Sequence, residues 1–221
     1  MKLLICFVVL LSVAATTLCR DMSREMFTFP QQTNTAHVKM SPSRTTFRAL
    51  TVCHRSFTDL TRDHGLFSLS TPKGHNSFLT FWNAKNKQME IYILQGAVPF
   101  PSLDYAPNKW HSICATFDSR SGVAQLWFDG KPLVRKYIKN TPIIGRPIIT
   151  LGQEQDTYGG GFDVNQSFVG MMTDVHMWSY VLSPHQIRRY MRRHRHTPGN
   201  VVNWDALSFT TSGRVLIERK Q

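Results

Sequence analysis

Acidic residues are few in this sequence: 14 Asp and Glu stand against 26 Lys and Arg, a formal charge of +12 over 221 residues. The imbalance favours polyanionic partners, whether nucleic acid, sulfated glycans or anionic lipid headgroups, without choosing among them. Cysteine is scarce too, at 4. No CxxC pair, HExxH or evident Ser/His/Asp nucleophile appears, so thiol, zinc-protease and serine-hydrolase chemistries lack their residues. There is no internal repeat and no low-complexity segment. Beyond the first nineteen residues no apolar run is long enough to span a bilayer.

Those first residues, MKLLICFVVLLSVAATTLC, carry Lys2 ahead of an apolar stretch from Leu3 to Ala15, with small Thr17 and Cys19 at the −3 and −1 positions of a cleavage site. Residues 1–19 are expected to be a secretory signal and 20–221 a single extracellular domain. Losing Lys2 takes the charge from +12 to +11. Losing Cys6 and Cys19 leaves Cys53 and Cys114, which in an oxidising compartment most simply form one disulfide. Closing a loop of about sixty residues in this way is worth roughly 4 kcal/mol in the loop-entropy account.

The rest reads as short strands separated by turns. In FRALTVCHRSF, Phe47, Ala49, Thr51, Cys53 and Arg55 share one parity and Leu50 and Val52 the other, which predicts a strand buried on both faces. Further strands are expected at Gly65–Ser70, Ser77–Trp82 and Met89–Leu94, with TPKGHN as a loop between the first two. VPFPSLDYAPN reads as a long proline-marked connection, and Asp129-Gly130 between VAQLWF and KPLVRKY as a hairpin turn. Late strands are expected around Val202–Leu207 and Val215–Glu218. One helix stands out: Ser183, Pro184 and Gln186 form a capping box with proline at the first helical position. Ile187, Tyr190 and Met191 lie on one face of it. About a dozen strands and one helix predict an all-β sandwich.

One stretch concentrates chemistry. Residues 151–170, LGQEQDTYGGGFDVNQSFVG, place Glu154, Asp156 and Asp163 beside Gln153, Gln155 and Gln166 and three consecutive glycines. Hard cations such as Ca2+ take six to eight oxygens from carboxylates, amides and backbone carbonyls. A flexible acidic loop of this kind can supply them, to one ion or to two that share carboxylates. Taken alone it also fits an acidic surface loop.

LGQEQD followed by GGGFDVNQS, together with VGMMTDVHMWSYVLSP, FDGKPLVRK, NVVNWDALSF, DMSREMFTFP and SICATFDSRSG, resembles the pentraxins, in particular the short members, along essentially the whole mature chain. The resemblance implies a flattened, laminin-G-like jelly roll of two antiparallel sheets with one helix, a Cys53–Cys114 disulfide, and a homopentamer. It implies two Ca2+ ions per subunit on one face, holding phosphate-bearing ligands such as phosphocholine or phosphoethanolamine. The opposite face would carry the helix and meet effectors such as complement components. Matched residue by residue, the calcium ligands would be Glu154, the carbonyl of Gln155, Asp156, Asp163, Gln166 and Asn76. His75 stands where the family usually has aspartate; imidazole suits a hard cation poorly, so the first calcium site is expected to be weakened. Phe81, with Leu79 and Tyr92 nearby, matches the aromatic that packs against choline methyls, while the acid that meets the ammonium falls near Val98 and is missing. The signature around the second cysteine also departs from the family, with Ser112 and Phe117 where His and Trp are usual.

The end of the helix, RRYMRRHRH, has no counterpart in the short pentraxins; Arg188, Arg189, Arg192, Arg193 and Arg195 there are expected to bind polyanions such as DNA or heparin-like glycans. Asn165-Gln166-Ser167 is a glycosylation sequon, expected to be unoccupied. The rival readings are an extracellular laminin-G-like adhesion module without calcium-dependent opsonic function, and a jelly-roll glycoside hydrolase using Glu154 and Asp156. The hydrolase needs two carboxyls flanking a sugar cleft, and the next acid, Asp163, follows three glycines, as a metal loop would have it. The expectation is a secreted, non-enzymatic recognition protein of innate immunity.

Overall fold

The structure, a computed structural model, describes residues 19–192 and 197–220. The expected signal segment lies outside them except for Cys19, which is exposed and in no disulfide. No described helix is long and apolar enough to cross a membrane. Among the described residues the strands form an eight-stranded and a seven-stranded antiparallel sheet, with a two-stranded ladder beside them. This is the flattened jelly roll of two facing sheets and one helix.

Strand Ala49–Thr58 is central to the larger sheet: it pairs with Lys109–Asp118 on one side and with Gly170–Trp178 on the other. Its alternation explains its double burial. Leu50 and Val52 face the sandwich interior, in one cluster with Ile113, Ala115 and Phe117 of the same sheet and Leu69, Phe78, Ile91 and Ile93 of the other. Cys53 points the opposite way, opposite Cys114, and the two are bonded across a sequence separation of 61. The helix Pro184–Met191 closes over that disulfide, packing Ile187, Tyr190 and Met191 on Trp127 and Trp178. Its capping box is formed as expected, with Gln186 N–H donating to Ser183 Oγ and Ser183 N–H to Gln186 Oε1.

Three element assignments change. Val202–Leu207 is not a strand: Asn203 caps a 3-10 turn, Trp204–Ala206, that drops Trp204 into the core against Phe27. The proline-marked connection begins as a strand, Gly96–Pro101, which lies at the edge of its sheet, where Pro99 and Pro101 cost no ladder bond. TPKGHN is a loop only at Pro72 and Lys73, since strand His64–Thr71 includes Thr71 and strand Gly74–Asn83 already includes Asn76. The signature departures have a packing reason. Phe117 is fully buried, and His111 is buried with Nδ1 2.8 Å from Asp129 Oδ2, its ring stacked on Phe128.

Candidate functional site

Strand Ile148–Leu151 delivers the acidic stretch onto the outer face of the seven-stranded sheet, beside strand His64–Thr71. The turn that follows needs glycine: Gly152 has φ +88°, and a Cβ there would sit 2.3 Å from the Phe29 ring. Two glutamines then anchor the loop. Gln153 Nε2 donates to the carbonyls of Thr33 and Ala36 at 2.7 and 2.9 Å. Gln155 Nε2 donates to the Ser68 and Ile148 carbonyls, while its Oε1 accepts from Ser70 Oγ and Gly159 N–H. With its side chain committed to the scaffold, the group Gln155 offers a ligand is its backbone carbonyl. Glu154, between them, is buried at 4% exposure directly over Gly65, where an added Cβ would lie 3.0 Å from the Glu154 Cβ. Thr157 and Gly160 close the tip with reciprocal backbone bonds of 3.1 and 3.2 Å.

Glu154 feels its surroundings. Burial, then the Asp156 carboxylate, push its carboxyl up to about 7; the Asn76 amide opposes this and Asp163 adds to it. Those causes locate the group: Asn76, Asp156 and Asp163 all stand around Glu154. Asp163 Oδ1 caps the 3-10 turn Val164–Gln166 through the Asn165 N–H at 2.9 Å. Arg62 braces that turn, donating to the Asn165 carbonyl at 2.8 Å and to Ser167 Oγ at 3.3 Å. Asn76 Oδ1, Glu154 Oε1 and Gln166 Oε1 are buried and accept no hydrogen bond from the described residues. Three buried oxygens without donors, next to crowded carboxylates, are costly as they stand. A cation would satisfy them. The donor set is all oxygen, which fits calcium. No three His, Cys, Asp or Glu side chains among the described residues gather as metal ligands by themselves, so amide and carbonyl oxygens must complete the set. His75 is half-buried on the same strand as Asn76 and makes no side-chain hydrogen bond among the described residues.

The same outer face carries the ligand-contact residues read from the sequence. Leu79 pairs with Tyr92, and Phe81 with Glu90, on neighbouring strands. Leu79 and Phe81 are 2% and 7% exposed, so only Tyr92, half-buried, offers much surface. Val98 points into the core, not onto this face. The carboxylate beside Phe81 is instead Glu90, accepting from Asn83 and Gln88 amides and from the Tyr92 hydroxyl at 2.7 Å. Burial and that carboxylate push the Tyr92 hydroxyl well up. Sequence reading missed Glu90, although its shared parity with Tyr92 in MEIYI was a usable signal.

On the far sheet Arg188, Arg189 and Arg192 are exposed, while Arg193 and Arg195 lie outside the described residues. The three line two neighbouring clefts. Arg188 and Arg192 flank a cleft with Lys131, whereas Arg189 lines a different one with His185, Trp178 and Pro198. Asn165 of the sequon is exposed, its Nδ2 donating to Asp163 Oδ1 at 3.1 Å.

The model of the Pentaxin family matches residues 25–219. The chain is 40% identical to rat C-reactive protein, over 98% of this chain and 94% of that protein. It is 37% identical to mouse serum amyloid P-component, over 98% and 96%. A heptameric SAP-like pentraxin from Limulus polyphemus shares the fold, with a TM-score of 0.80 at 23% identity over 90% of this chain and 96% of that one. With the jelly roll, the disulfide under the helix and the whole-length matches in agreement, the chain belongs to the Pentaxin family.

Proposed function

We propose that this protein is a secreted, calcium-dependent recognition protein of innate immunity that binds phosphate-bearing ligands on microbial or damaged-cell surfaces. One observation carries the reading: the buried, donorless oxygens of Asn76, Glu154 and Gln166 beside the carboxylates Asp156 and Asp163. Glu154 and Asp156 would be shared between two ions, with the Gln155 carbonyl, Asn76, Asp163 and Gln166 completing them. Bound calcium supplies positive charge for a phosphate oxygen. The protein's own part is rigidity, since Gln153, Gln155 and Arg62 hold the loop in place before any ligand arrives. Tyr92 and the rim of Phe81 would meet the ligand's organic end, with Glu90 as the nearby negative charge for an amine or quaternary ammonium. Glu90 already accepts three hydrogen bonds, which blunts its pull on a cation and favours phosphoethanolamine, itself a donor, over phosphocholine.

The domain would act as a binder, assembled into a ring that multiplies weak contacts, with complement components as candidate partners of the helix face. The basic helix is a second surface, for polyanions. Retention on phosphoethanolamine-bearing and phosphocholine-bearing resin in calcium, with release by chelator, tests the main reading. Retention that chelator does not reverse would favour the calcium-free adhesion module. His75→Asp is expected to raise calcium affinity several-fold in a calorimetric titration, because it restores a charged oxygen at a ligand position; unchanged affinity would show that position 75 does not touch the ion.

A further inference from the structure

We propose that the cleft between the end of the helix and the Asp129-Gly130 turn is a sulfate site for a sulfated glycan chain, formed by Arg188, Arg192 and Lys131. This rests on the polyanion reading of the helix and not on the calcium reading. The cleft holds about 250 Å3 and is lined by Asp129, Gly130, Lys131, Arg188, Met191 and Arg192. Its walls are tied together, because Gly130 N–H donates to Met191 Sδ at 3.1 Å. Arg188 and Arg192 are one helical turn apart and so share a face. The Arg188 guanidinium lies 5.3 Å from the centre of the Trp127 ring, which holds it in position. None of the ion pairs among the described residues uses Arg188, Arg192 or Lys131.

Two opposing charges need an answer. The carboxyl end of a helix is negative, but here Arg55 caps it from beneath, donating to the Tyr190 and Met191 carbonyls at 2.7 and 3.4 Å. Asp129 lines the cleft with its side chain 41% exposed, yet each oxygen is already engaged, Oδ1 by the Ser112 N–H at 2.7 Å and Oδ2 by His111 at 2.8 Å. Burial raises the Asp129 carboxyl, but those two bonds outweigh it and hold it below its ordinary value. Three cations therefore face the opening against one carboxylate engaged elsewhere. A sulfate ester projects from its sugar on a single bond and shows three terminal oxygens to three donors. A nucleic-acid phosphodiester shows two and lies within its backbone, and no exposed aromatic lines the cleft to stack a base.

The test is binding of a fluorescent heparin-derived dodecasaccharide to the full mature chain, in chelator, over a series of salt concentrations. Lys131→Ser and Arg188→Ser should each weaken binding roughly fivefold and lower the slope of log affinity against log salt by about 0.7 to 0.9. Arg189→Ser, on the other flank, should stay within about twofold, and thermal unfolding confirms that each variant folds. Equal losses for all three variants, or no loss for Lys131→Ser, would overturn the site while leaving a diffuse polyanion surface. Failure of the unaltered protein to bind would overturn the polyanion reading itself. Tighter binding of a DNA duplex of equal charge, lost in Lys131→Ser, would overturn the glycan assignment.

Discussion

Glu154 sits at 4% exposure with a donorless oxygen and two carboxylates for neighbours, and what lets it sit there is an absence, the missing side chain of Gly65. Gly65→Ala places a Cβ 3.0 Å from that of Glu154, so one backbone must give by a few tenths of an ångström. We expect calcium affinity to fall about tenfold in a calorimetric titration, since hard-ion sites depend on where their oxygens stand. An unchanged titration would show that the loop's position is not set by this contact. The residues of the loop were legible because they are consecutive and of one chemical kind. Gly65 was not, because it lies 89 positions from Glu154 and carries nothing to read. Glu90 is hidden for another reason: the family resemblance puts the acid near Val98, and that side chain points into the core.

Among the elements, the helix shows both what sequence can disclose and what it hides. Its start was readable from Ser183, Pro184 and Gln186, because an N-cap is local chemistry. Its end was not. The sequence reads as helical through RRYMRRHRH, but the helix stops at Met191 with Arg192 in the cap position. Its last carbonyls are met by Arg55, 135 residues from Tyr190 in the central strand, ion-paired at 3.2 Å with Asp174, which also meets Lys220. A charged residue in the middle of a buried strand was the available sign that something opposite must pair with it. Arg55→Ala would take one of the two cations from Asp174 and leave two helix carbonyls without their donor, and should cost about 3 kcal/mol in urea unfolding; a loss below about 1 kcal/mol would mean that Lys220 alone satisfies the network. The late strand expected at Val202–Leu207 failed because Trp204 gains more by filling the core than the segment would gain by pairing.

For the whole molecule, two buried histidines set the response to acid. Burial pushes both His54 and His64 down from 6.5 to about 4, and neither ring nitrogen of His54 has a partner among the described residues. Unfolded, each takes up a proton near 6.5; folded, each resists until about 4. Their contribution is therefore complete above 6.5 and is lost as pH falls from there towards 4. The loss amounts to up to about 3 kcal/mol for each. In chelator the raised Glu154 carboxyl acts in the opposite sense, gaining stability as pH falls below about 7, so the histidines are read in a Glu154→Gln background. Urea midpoints there should drop steadily from pH 7.5 to 4.5, and adding His54→Phe should flatten that slope by about half. A midpoint independent of pH would show that the histidines are not buried neutral. The two-sheet architecture was readable from alternation and turns, whereas the pairing of distant strands came only with the structure. The most direct test of the calcium reading is calorimetric titration of the metal-free protein beside Glu154→Ala. The unaltered chain should take up calcium, and the variant should bind it at least tenfold more weakly with its fold intact. Calcium uptake that is absent in the unaltered protein, or identical in both, would contradict it.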